Sequence, residues 1–187
     1  MNEESTKNAL NDQKSTSIQH LNNINGNVKI TIYKGNKKCK SILTHNTGTI
    51  SLCEYISRAL LGINVISKRP YIIAPYVKGQ NESVEELGIW QAKKSKLNKS
   101  QKLTNSDNYV SSCTLSFIIP SSNLTNGLSI QGFNLYSNEY NIGAKDKNNY
   151  LYAVLDLDEF PIIITDNNIN LKVDWTLYTS YTWEEIQ

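Results

Sequence analysis

His20 and His45 are the only two histidines in this 187-residue chain, which narrows the available chemistry. A nucleophile relay of the Ser-His-Asp kind needs a positioned imidazole, and a histidine-rich metal centre needs several together. His20 lies in a polar N-terminal stretch, and His45 stands beside Asn46, where it could orient a loop, although a plain loop or core-edge histidine is the more ordinary reading. The densest carboxylates are Asp156, Asp158 and Glu159. Strand alternation would set Asp156 and Asp158 on one side, an arrangement that could offer oxygens to a hard cation such as calcium. The Asp/Asn/Gly ligand ladder of a calcium loop is missing, so the plainer expectation is an acidic, solvated face beside a turn.

Asn46, Thr47, Gly48 and Thr49 resemble the start of a phosphate loop, but the second glycine and the lysine of that motif are absent. A turn that launches a helix explains them better. Cys39, Cys53 and Cys113 are scattered, odd in number and form no metal-like pair. They read as reduced, largely buried small residues. The sequence therefore assigns no catalytic, cofactor-binding or metal-binding residue, and a non-enzymatic protein is expected.

The elements that would carry these residues are mostly strands. Leu171, Val173, Trp175 and Leu177 alternate with Lys172, Asp174, Thr176 and Tyr178, the period of a strand with one buried face. Similar signals cover residues 128–136, 150–157, 160–165 and 109–119, the last ending at Pro120. Val28, Ile30 and Ile32 alternate with polar neighbours, and the run Lys34, Gly35, Asn36, Lys37 reads as a hairpin turn leading into residues 39–44. Pro75 confines the strand over 70–77 to an edge or a bulge, and 87–90 reads as another short strand.

One helix is expected, at about 51–61. Ser51 and Glu54 would form a capping box, Ile50 and Tyr55 a hydrophobic staple, and Ile50, Cys53, Ile56 and Leu60 the buried stripe. Strands at this spacing with a single helix argue for an antiparallel β-sandwich, jelly-roll-like, since parallel strands would need repeated crossover helices.

Length suits one buried core. Residues 1–27 are polar and aperiodic and read as an extended N-terminal arm, with 28–187 as a single β-sandwich domain. A net charge of +2 gives no concentrated field for nucleic acid or a membrane surface. The one basic block, Lys93, Lys94, Lys96, Lys99 and Lys102, lacks aromatic interleaving and reads as a solvated lysine-rich loop over about 91–108. No apolar run approaches membrane-spanning length, and no secretory leader pattern opens the chain, so synthesis and residence in a reducing cytoplasm, or in something assembled there, are expected.

Two blocks together resemble a known class. The first holds His45, Asn46, Thr47, Gly48 and Thr49, then Ala59, Leu60, Leu61 and Gly62, then Arg69, Pro70, Tyr71, Ile72 and Ile73. The second holds Gly132, Phe133, Asn134, Leu135, Tyr136 and Ser137, then Leu151, Tyr152, Ala153, Val154 and Leu155, then Pro161, Ile162, Ile163 and Ile164, then Leu171, Lys172, Val173, Asp174, Trp175, Thr176 and Leu177. From about His45 to the C-terminus the chain is similar to small β-sandwich structural proteins of tailed bacteriophages. The resemblance implies a virion component: a head fibre or decoration, or a collar, neck or tail piece. It implies no catalytic residues, other virion structural proteins as partners, a homo-oligomer, and no membrane or specific nucleic-acid partner. The alternative is a carbohydrate-binding β-sandwich module for host-surface attachment, with Trp90 and Trp183 as stacking platforms.

Overall fold

The computed structural model describes residues 18–61, 68–79, 81, 83–102, 108–157 and 159–184. Among these, the chain is mainly β. Strands β1 (Ile18–Lys34) and β2 (Lys37–Gly48) form the expected hairpin. Gly35 supplies the turn with φ of +57°, a value a β-carbon makes costly. Helix α1 (Ile50–Leu60) follows, then β3 (Pro70–Lys78), β4 (Val84–Glu86), β5 (Trp90–Gln91), β6 (Lys94–Lys102) and β7 (Asn108–Ile119). The second half adds β8 (Ser129–Ile130), β9 (Gly132–Ser137), β10 (Leu151–Asp156), β11 (Ile162–Ile163) and β12 (Ile169–Glu184).

Ten strands form one antiparallel sheet in the order β4-β3-β9-β10-β2-β1-β12-β7-β6, with β5 also on β3, while β11 and β8 form a separate pair. The expected antiparallel fold with one short helix is present, in one large sheet and one small one rather than two of similar size. That large sheet curls. Ala92 N–H donates to Tyr71 O beside β3 and the next residue, Lys93, donates to Ser116 O on β7, so two strands near opposite ends of the order approach each other. Phe133, Leu135 and Leu155 from one flank and Val28, Phe117, Val173 and Trp175 from the other enter a single apolar core. Removing a fully buried side chain such as Trp175 costs about 3–5 kcal/mol.

Alternation places β12 correctly: Leu171, Val173 and Trp175 are buried while Lys172 and Asp174 are half-buried. The edge or bulge expected at Pro75 does not appear: β3 lies between β9 on one side and β4 and β5 on the other, and its register shift with β9 falls between Pro70 and Ile72. Pro75 accepts from Leu87 N–H where β4 has ended and β5 has not begun, so the residue lacking an N–H faces a gap in pairing.

Other expectations need correction. Residues 87–89 are not strand; β4 and β5 flank them. The arm ends earlier than residue 27, because β1 begins at Ile18 and pairs with β12 from Ile18 opposite Glu184 onward; residues 1–17 lie outside the described residues. The segment read as a lysine-rich loop is largely β6, paired with β7. Backbone pairing to a long neighbour outweighs its poor strand composition, and lysines on an edge strand discourage further pairing.

The helix is also rotated from its expected stripe. It starts at Ile50, so Thr49 O accepts from Leu52 and Cys53 N–H, and Ser51 donates to Asn148 O instead of capping. Leu52 is buried with Tyr55 and Ile56 partly so, whereas Ile50 and Cys53 are exposed. A staple between Ile50 and Tyr55 is thereby excluded, since Ile50 is 80% exposed. The cysteines are less buried than expected: Cys39 and Cys53 are exposed and Cys113 is half-buried.

Candidate interaction surfaces

One open groove lies where β2 leaves its neighbour. β2 meets β10 at Thr47 opposite Val154 and Gly48 opposite Ala153; along its earlier residues it pairs with β1, and among the described residues its other edge has no strand partner. Across the gap runs the segment leading into β11, which pairs with β8 on one side. Between them is a groove of about 1140 Å³, lined by residues 40–44 on one wall and residues 159–163 on the other. Five consecutive residues line each wall. Residues 40–44 belong to β2, whereas on the other wall only Ile162 and Ile163 are strand and residues 159–161 form the turn that leads into them.

Leu43, Phe160 and Ile163 stand at this groove with 70%, 76% and 61% of their surfaces exposed. Grouped exposure of large apolar side chains marks interaction surfaces. Lys37, Lys38 and Lys40, all exposed, follow the turn at the start of β2, while Lys34 is held by Asp166 at 2.6 Å.

A second cluster is built around Glu86 at the end of β4. Its carboxylate is 3% exposed and accepts from Tyr136 and Tyr140 hydroxyls at 2.5 Å each, from Asn134 Nδ2 at 3.2 Å and from Lys147 Nζ at 3.1 Å. Burial alone would push the carboxyl up; the two hydroxyls, Asn134 and Lys147 outweigh it and hold Glu86 below the usual carboxylate range. Burial, followed by the Glu86 charge, raises both phenols well above their ordinary value. Every donor here is turned inward to one carboxylate. The arrangement fastens β4 and the turn after β9 to the sheet, and it suits a structural lock better than proton transfer.

A third feature is a polar cleft of about 540 Å³ beside α1, bordered by Glu54, Arg58, Lys68, Glu139 and Tyr150. Tyr152 lies in it with its hydroxyl donated to Lys68 O, and burial above all raises its phenol. Ser137 Oγ, also on this cleft, is buried without a hydrogen-bond partner. Two carboxylates and two cations leave the border electrically balanced.

The residues singled out in the sequence do not converge. His45 is exposed on β2 opposite Asn27, and His20 pairs within β1 opposite Thr182. Asp156 meets Lys78 at 3.1 Å, Glu159 is exposed, and Asp158 lies outside the described residues. Among the described residues, no group of three or more His, Cys, Asp or Glu side chains gathers. Thr47 and Gly48 form the rungs to β10, and Thr49 donates from its N–H to Tyr152 O, so this stretch is a corner of the sheet. Trp90 is no open platform: it packs on the core and covers Gly88, where a β-carbon would come within 2.7 Å of its ring. The side chain of Trp183 lies outside the described residues.

Glu86 and the groove were missed. A lone glutamate after Glu85 carries no pattern, and the groove depends on strand order. Comparisons with protein-family models, with curated proteins and with solved structures return no match to this chain.

Proposed function

We propose that this chain is a non-enzymatic structural component of a tailed-bacteriophage virion, a head fibre or decoration or a collar or tail piece, that attaches to neighbouring virion proteins. The observation that carries the attachment is the groove between β2 and residues 159–163, where the unpaired edge of β2 and three exposed apolar side chains face one opening. Exposed edges with apolar flanks favour association with another chain. The virion assignment draws on the residue blocks in β9, β10 and β12 that resemble phage structural proteins. In this reading the curled sheet is a jelly-roll-like sandwich, the protein is a homo-oligomer assembled in the host cytoplasm and resident in the particle, and residues 1–17 act as a further tether.

The carbohydrate-binding reading keeps one supporting feature, the polar cleft beside α1 with its unpartnered Ser137 hydroxyl. It loses Trp90 as a platform. The test is to express a tagged copy during particle assembly and follow it through density-gradient purification. Co-purification with intact particles at fixed stoichiometry is expected; a tag found only among soluble host proteins overturns the assignment.

A further inference from the structure

Cys113 of β7 stands opposite Leu97 of β6 on one side and Leu177 of β12 on the other. Directly opposed residues share a face of a sheet, so the three form a row, and the small cysteine between two leucines leaves room above it. Helix α1 adds Leu52, Tyr55 and Ile56, and the entry to β3 adds Arg69 and Tyr71; together they border a pocket of about 320 Å³. The row runs from Leu97, 79% exposed, to the half-buried Cys113 and Leu177. The pocket has about twice the volume of an apolar cavity that holds one benzene, and none of its residues lines the groove beside β2.

Among the described residues, Arg69 is the one charged side chain on this lining. Its guanidinium lies 4.6 Å from the centre of the Tyr71 ring, and no described carboxylate forms an ion pair with it. Glu54 of α1 borders the polar cleft instead. Residues 62–67, which join α1 to this edge and lie outside the described residues, contain no acidic side chain. The other polar side chains on the lining, Tyr55, Ser95 and Ser112, are neutral. An apolar cleft with a few polar groups at one place is the ordinary form of a small-molecule site, and a planar guanidinium matches a carboxylate with two parallel N–H donors. A cationic ligand would meet Arg69 with like charge. We infer that this pocket binds a small apolar carboxylate, about the size of two fused aromatic rings or an equivalent alkyl chain, with the carboxylate on Arg69 and the apolar body over Cys113. The site does not depend on the assembly reading above.

The probe is naphthalene-2-carboxylate, titrated calorimetrically into the full chain, with naphthalene-2-carboxamide as the uncharged match. Saturable binding of the carboxylate is expected, and the amide should bind about tenfold more weakly. Iodoacetamide alkylation of each thiol, followed by mass spectrometry, locates the site. With the carboxylate at about ten times its dissociation constant, alkylation of Cys113 should slow about tenfold, while Cys39 and Cys53, which lie off the lining, react as before. Arg69→Gln should remove the preference for the carboxylate over the amide. Leu97→Glu, at an exposed position, should weaken carboxylate binding at least about tenfold at low salt, with the melting temperature unchanged. Absence of binding up to the solubility limit overturns the inference. So does binding that leaves Cys113 unprotected, equal affinity for carboxylate and amide, or a preference that survives Arg69→Gln.

Discussion

Gly48 of β2 sits opposite Ala153 of β10, and next to the rung between Thr47 and Val154 this is where the two strands part. Toward the start of β2 the chain keeps β1 on one side and opens a groove on the other. A sheet that was paired throughout would have no such opening, so the separation at this corner decides which surface is available to a partner.

Side chains at the mouth of the groove should matter to assembly and little to folding. Leu43→Lys and Phe160→Lys each replace a residue exposed by 70% or more. Their urea midpoints should correspond to changes within about 0.5 kcal/mol, while recovery of the variants in purified particles falls sharply. Destabilisation of 2 kcal/mol or so would show instead that these residues are part of the core.

Glu86 should behave as a lock. Glu86→Ala strands the hydroxyls of Tyr136 and Tyr140, whose rings stack 3.8 Å apart. A loss of about 2–3 kcal/mol in chemical denaturation is expected, because buried donors lose a charged acceptor. Tyr140→Phe should cost less, since Glu86 then keeps Tyr136, Asn134 and Lys147.

The same cluster sets a pH dependence at both ends. The folded state holds Glu86 below its ordinary value, so its contribution is present above about pH 4.5 and is lost as pH falls through the folded value. The phenols of Tyr136 and Tyr140 are raised, so the folded state keeps protons the unfolded chain releases above about pH 10, and stability declines again there. Melting curves across pH should show both declines, and Glu86→Gln should flatten the acid one.

Gly26 should tolerate no side chain. A β-carbon there would come within 1.9 Å of Asn46 Oδ1 and 2.8 Å of Thr176 O. Gly26→Ala is expected to cost about 1–3 kcal/mol, as overpacking does. Adding Asn46→Ala should recover part of that, the remainder being the clash with the fixed carbonyl of Thr176.

Thiol chemistry gives an independent check on packing. With a colorimetric disulfide reagent at pH 8, Cys39 and Cys53 should react first because they are exposed. Cys113 should lag, since it is half-buried and burial raises its thiol. Three equal rates would contradict the half-buried position of Cys113.

The strands with a buried face were legible because burial writes a period of two into the sequence, as Leu171, Val173 and Trp175 show. β6 was not. As an edge strand bearing Lys94, Lys96 and Lys102 it takes its conformation from pairing with β7, and that information lies in another part of the chain. Helix α1 was found but its stripe was misread, because Ile50 and Cys53 fit helical spacing as well as Leu52, Tyr55 and Ile56 do. The groove was illegible for a deeper reason: residues 40–44 and 159–163 are brought together by strand order, which local periodicity does not encode.

The most direct test compares amide hydrogen exchange at residues 40–44 in the isolated chain and in purified particles. For the amides among them that point away from β1, the account predicts fast exchange in isolation and strong protection in the particle, because a neighbouring virion protein covers the groove beside β2. Equal exchange in both states would contradict it.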